Sequence, residues 1–105
     1  MKQLGPTELK ARLAAGDKLQ LLDVREEWEF QTARIEGSLL IPMGQVTSRL
    51  SELDSSAETV VICHRGGRSM QVAGLLEQLG FANVINLAGG VDAWARSVDP
   101  SMPVY

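Results

Sequence analysis

An α/β domain with a mainly parallel sheet and helices on both faces is the fold class this sequence predicts, and two observations carry the prediction. The runs LQLLDV and TVVI are short and nearly continuously apolar, as strands covered on both sides must be. Segments with helical periodicity separate and follow them, the broadest running from Arg68 to Leu79, so strand and helix alternate along the chain.

In chain order, Thr7 to Ala15 reads as a helix: Thr7 follows Pro6 as N-cap, Leu9 and Leu13 share a face, and Gly16 is a stop. Leu19 to Val24 is a strand. Glu26 to Ala33 is a short helix whose acidic start suits the positive end of its dipole. Leu39 to Ile41, closed by Pro42, is the next strand, and Gly44 to Leu53 is helical with Val46, Leu50 and Leu53 on one side. Thr59 to Ile62 is a β-branched strand bounded by polar turns. Met70, Val72, Ala73, Leu75, Leu76 and Leu79 form the stripe of the long helix, which Gly80 ends. Asn83 to Leu87 is a further strand, Gly89 and Gly90 a turn, Val91 to Arg96 a last short helix, and DPSMPVY an irregular tail. Trp28 and Trp94 read as packing residues. Repeated β-α units imply right-handed crossovers, with ligands bound beyond the carboxyl ends of the strands.

At 105 residues the chain has room for one core, so residues 1–105 read as one domain. A hydrophobic content of 45% with 22% charged residues is ordinary for a globular protein and argues against disorder. A net charge of −3, with no Lys/Arg cluster outside one loop, argues against a nucleic-acid partner. No stretch approaches the ~20 apolar residues of a membrane span and no apolar leader follows Met1, so no membrane partner and a cytoplasmic location are expected. One cysteine excludes an internal disulfide, and with one histidine it cannot build a Cys/His zinc site, so free thiol chemistry remains.

That thiol is Cys63. It stands at the end of the TVVI strand and is followed at once by His64, Arg65, Gly66, Gly67 and Arg68. Thiolates are favoured beside cations, at helix N-termini and among converging amides, and all three features meet here. The glycines permit a tight turn whose N–H groups face inward. A helix terminus supplies roughly 0.3–1 kcal/mol and up to ~2 in partly buried geometry, which at about 1.36 kcal/mol per pKa unit is about one unit, against an ordinary thiol value of about 8.5. The dipole alone therefore falls short, and Arg65 and Arg68 are the candidates to add to it. His64 reads either as a general base or as a loop wall. Arg65 either attracts an anionic donor or is idle. Arg68, a cation at a helix start, calls for a compensating partner or a ligand. Asp23 and Arg25 close the first apolar strand and either reach the same face of the sheet as Cys63 or serve as a structural ion pair or loop brace.

Four residues separate Cys63 from Arg68, one fewer than in the C-x5-R loops of cysteine phosphatases. The smaller loop disfavours a tetrahedral phosphate and suits one extra sulfur atom. At this point CHRGGRS resembles the active-site loop of the rhodanese, or thiosulfate sulfurtransferase, family in its single-domain form. LLDVREEWEF, ARIEGSLLIP and GFANVINLAGGVDAW resemble further family blocks in the expected order, with Arg34 standing where many relatives have His.

The resemblance implies a five-stranded rhodanese-like α/β fold and an active domain. It implies Cys63 as the nucleophile, with His64, Arg65, Gly66, Gly67, Arg68 and Ser69 forming the loop around the donor and the transferred sulfur. The implied reaction moves a sulfane sulfur from thiosulfate or a similar donor to a thiophilic acceptor, cyanide or a thiol, through a Cys63 persulfide, with no metal or organic cofactor. With no second cysteine to resolve it, the cycle must finish on another molecule. The alternative is a persulfide carrier module in a protein-to-protein sulfur relay. A non-catalytic interaction domain is a third reading, against which the retained Cys63 counts.

Overall fold

The computed structural model describes residues 1–105. Its elements in chain order are strand β1 (Lys2–Leu4), helix α1 (Pro6–Ala14), β2 (Gln20–Asp23), α2 (Glu27–Thr32), β3 (Leu39–Leu40), two 3₁₀ segments (Met43–Gln45 and Thr47–Glu52), β4 (Thr59–Ile62), α3 (Gly67–Gln78), β5 (Val84–Leu87) and α4 (Gly90–Ser97). The five strands form one parallel sheet in the order β1-β5-β4-β2-β3.

Period-2 alternation along the central strand β4 divides the core. Val61 and Cys63 face α3 and the 3₁₀ segments, with Leu22, Val24, Ile41, Val72 and Leu76. Val60 and Ile62 face α1 and α4, with Leu9, Ile85, Leu87, Val91 and Trp94. Every residue of β4 and β5 is buried, and β2 is buried at all but its first residue, which explains the nearly continuous apolar runs TVVI and LQLLDV.

Three sequence expectations are corrected. Gly5, not Thr7, caps α1: Pro6 occupies the first turn, where its missing N–H costs nothing, and the Gly5 N–H donates to Glu8 Oε1 at 3.0 Å. The 44–53 stretch keeps its apolar side, with Val46 in the core and Leu50 and Leu53 packed on it, but it is 3₁₀ rather than α and is broken at Arg49 (φ −120°, ψ 21°). Trp28 is 63% exposed, whereas Trp94 is buried as expected. The fifth strand, β1, is an edge strand beside β5. No helix is long and apolar enough to cross a membrane.

The topology fixes where chemistry can sit. From β2 the chain moves outward to β3; from β4 it moves the other way to β5. The segments that follow β2 and β4 pack on opposite faces of the sheet, Ala33 and Ile35 on one and α3 on the other. A crevice therefore opens beyond the carboxyl ends of these two neighbouring strands. Cys63 follows β4 at that crevice, and Arg25 follows β2.

Candidate active site

Between Ile62 and Gly67 the chain turns from strand to helix in four residues, Cys63 to Gly66. Gly66 makes the turn: it is the N-cap of α3 with φ +106°, and a Cβ there would lie 3.3 Å from the Gly89 amide nitrogen. Gly67 contributes no such freedom, since it is the first helical residue and does not have positive φ. The result of the turn is that the Gly66 N–H points back and donates to Cys63 Sγ at 3.0 Å.

The Ser69 hydroxyl, one turn into α3, lies 3.3 Å from the same sulfur. This hydroxyl also contacts the Asn86 side-chain oxygen and, at 3.2 Å, the Gly66 carbonyl. It has one proton and three acceptors around it, so it can receive from the thiol while donating to Asn86, or turn its proton to an anionic sulfur. Asn86 is held in turn by a 2.9 Å bond from its Nδ2 to Gln3 Oε1 on the edge strand. A polar residue inside the buried run NVINL was the sequence feature that could have announced this partner.

The loop's carbonyls are turned the other way. The first-turn amides of α4, Val91 and Asp92, donate to the Cys63 and His64 carbonyls, both at 2.9 Å. Gly90 makes this approach possible: its φ is +59°, and a Cβ would sit 2.4 Å from the Cys63 oxygen and 2.5 Å from that of His64. The Gly89–Gly90 turn expected from sequence is thus also the clasp of the cysteine loop.

Arg68 lies at the head of α3, where a bare cation opposes the helix dipole. Its compensation comes from α2: Nη1 and Nη2 donate to Glu29 Oε1 and Oε2 at 2.7 and 2.9 Å. The Arg68 bonds pull the Glu29 carboxyl down to about 2, although its burial works in the opposite direction. The same pair holds the Arg68 pKa above its ordinary value. Beneath them Arg25 and Asp23 are fully buried and paired, with Arg25 Nη2 to Asp23 Oδ2 at 2.8 Å and a further bond to the Ala33 carbonyl at 2.6 Å. Such a pair braces the crevice, because removing either partner strands a buried charge.

His64 is half-buried, and its Nε2 has no hydrogen-bond partner. Its ring lies parallel to that of Tyr105, 4.0 Å between centroids. Arg65 is exposed at the mouth, as is Gly67. Cys63 itself is 1% exposed, at the base of the loop. Three broader surface grooves lie elsewhere, one of about 480 Å³ among Lys10, Arg34, Trp94 and Met102. Arg34 lies against the Phe30 ring, 4.9 Å from its centroid, as part of that separate groove. Sequence reasoning missed Glu29, read only as a helix-start acid, and Tyr105, whose approach no local pattern encodes.

A parallel sheet that delivers a cysteine loop to the crevice between β2 and β4 defines a class of protein, and the comparisons agree on which. Residues 5–97 match the Rhodanese-like domain, and the chain belongs to that family. It is 36% identical over 100 residues to a putative sulfurtransferase, YtwF, of Bacillus subtilis, covering 95% of this chain and 96% of the relative. It is 39% identical over 90 residues to a putative sulfur carrier protein, YrkF, of the same organism, covering 86% of this chain and 49% of that one. The human single domain sulfurtransferase TSTD1 superimposes with a TM-score of 0.84 at 27% identity, over 92% of this chain and 97% of that one. Two further curated relatives are much longer, the chain spanning 31% and 26% of their lengths.

Proposed function

We propose that this chain is a sulfurtransferase that carries a sulfane sulfur on Cys63. The observation that carries the reading is the surroundings of Sγ: the inward Gly66 amide donates to it at 3.0 Å at the start of α3, and the Ser69 hydroxyl, 3.3 Å away, accepts from the thiol and can turn its proton to an anionic sulfur. In the first step the Cys63 thiolate attacks the outer sulfur of thiosulfate or a similar donor. The Cys63 S–S bond forms, the donor's S–S bond breaks, and sulfite leaves with the electron pair. In the second step cyanide or a thiolate takes the outer sulfur, leaving thiocyanate or a persulfide and restoring the Cys63 thiolate. A covalent intermediate of this kind gives ping-pong kinetics. Arg65, exposed at the mouth, draws the anionic donor in; His64 walls the loop; Gly67, Arg68 and Ser69 line the head of the helix. No step uses a metal or an organic cofactor.

A second reading, a persulfide carrier serving a protein-to-protein relay, shares this chemistry and is supported by the sulfur carrier relative. One experiment separates them. The protein is treated with thiosulfate and weighed by mass spectrometry, before and after cyanide. A gain of one sulfur on Cys63, removed by cyanide and absent in Cys63→Ser, is the expected result. A sulfur gained only from a cysteine desulfurase selects the carrier role. Full sulfur transfer by Cys63→Ser would overturn both.

A further inference from the structure

The segment after α4 has no regular secondary structure, yet it reaches the site. The Tyr105 ring stacks on His64 at 4.0 Å with 8° between planes. Its hydroxyl donates to Glu29 Oε2 at 2.9 Å and accepts from Arg25 Nη1 at 2.7 Å. Glu29 is the carboxylate that grips Arg68. One residue thus touches the loop's second member through its ring and governs the partner of its sixth through its hydroxyl.

Two details give this contact weight. His64 Nε2 is buried without a hydrogen-bond partner, so no bond at that nitrogen fixes the imidazole, and the stack is the restraint it has. The exposed Trp28 meets Tyr105 edge-on, centroids 5.7 Å apart, and backs the ring from outside. Burial, the larger cause, pushes the Tyr105 hydroxyl up to about 12, so it stays a neutral donor to Glu29 at working pH.

We propose that Tyr105 is a positioning residue for the Cys63 loop, holding His64 by its ring and Arg68 through Glu29, and so setting the preference of the sulfur for anionic reactants. Without the hydroxyl, Glu29 loses a donor and its charge falls more fully on Arg68, which makes the field at the sulfur less positive. Without the ring, His64 is also free to turn. The kinetic consequence rests on the sulfur-transfer reading; the field itself does not.

The test compares the rates at which anionic iodoacetate and neutral iodoacetamide alkylate Cys63 in the whole chain. A purely structural Tyr105 would change stability and leave the ratio of these rates alone. The iodoacetate-to-iodoacetamide ratio is expected to fall about twofold in Tyr105→Phe, which keeps the stack, and about fivefold in Tyr105→Leu. The thiosulfate KM should rise in the same order with kcat changing less. A wild-type ratio in Tyr105→Phe, or in folded Tyr105→Leu, overturns the proposal. Wild-type protein that transfers no sulfur from thiosulfate, while the ratio responds as expected, would sink the donor assignment and leave the role of Tyr105 standing.

Discussion

The turns β4–α3 and β5–α4 are built alike and used differently. Each follows a four-residue buried strand, and each enters its helix through a left-handed glycine N-cap, Gly66 at φ +106° or Gly89 at φ +77°. In the first, the helix head and the inward Gly66 amide face a sulfur. In the second, the first-turn amides are consumed by the Cys63 and His64 carbonyls. Charge follows the same division. α4 carries its own Asp92 in the first turn, where an acid is favourable, whereas α3 carries Arg68 and imports Glu29 from α2. On the proposed function, a strand–turn–helix serves as a reactive site when its donors are left for a ligand, and a neighbouring copy of the same turn helps to leave them so.

Gly90→Ala breaks the comparison most severely. The added Cβ would meet backbone atoms, the Cys63 oxygen at 2.4 Å and the His64 carbonyl carbon at 2.6 Å, and neither can swing aside as a side chain would. With the left-handed φ added, the expected destabilisation is at least ~3 kcal/mol, read from urea unfolding. The surviving folded fraction should also alkylate faster at Cys63, because the clasp on the loop is forced open. Wild-type stability in this variant would show that α4 does not hold the loop.

Glu29→Gln asks how Arg68 is tolerated at its helix head. The Glu29 carboxyl lies at about 2 when folded, below its ordinary 4.5, so folding disfavours its protonation. Its contribution to stability is therefore complete above about pH 4.5 and is lost as pH falls towards 2. The shift corresponds to at most ~3 kcal/mol, and the partly exposed Arg68 side chain argues for about 1–2. Melting both proteins from pH 7 to pH 2.5 should show a gap at neutrality that closes in acid. A gap that stays constant across that range would assign the loss to packing and not to charge.

These two sites also show what a sequence can and cannot disclose. Cys63, its loop and β4 were legible because the information is local: a β-branched run, a thiol, two arginines and the glycines lie within ten residues. α3 was legible from its period, and β5 as a short, mostly apolar run ahead of a Gly-Gly turn. β1 was not, since LysGlnLeu has two exposed residues, and it is a strand only through its pairing with β5. The 44–53 stretch kept its apolar side and lost its α-helical form, because the core needs Val46, Leu50 and Leu53 and not unbroken helical dihedrals. Glu29 and Tyr105 lie 39 and 76 residues from the groups that give them meaning, Arg68 and Glu29 respectively. Nothing short-range marks such a contact.

The smallest effect sharpens the comparison by dividing two adjacent glycines that look equivalent in sequence. Gly66 needs its left-handed φ, and a Cβ there would press on the Gly89 amide nitrogen at 3.3 Å, so Gly66→Ala should cost about 1–3 kcal/mol and slow sulfur loading. Gly67 lacks positive φ, opens α3 and has nothing within 4 Å of the position a Cβ would take. Its replacement by alanine removes unfolded-state freedom without a clash, so Gly67→Ala should raise stability by about 0.4–1 kcal/mol with persulfide formation unchanged within about twofold. Paired denaturation curves and thiosulfate loading of the two variants read both signs at once. Equal losses in the two would mean that the loop depends on the bareness of both glycines, and that the helix head cannot accept even a methyl group beside the sulfur.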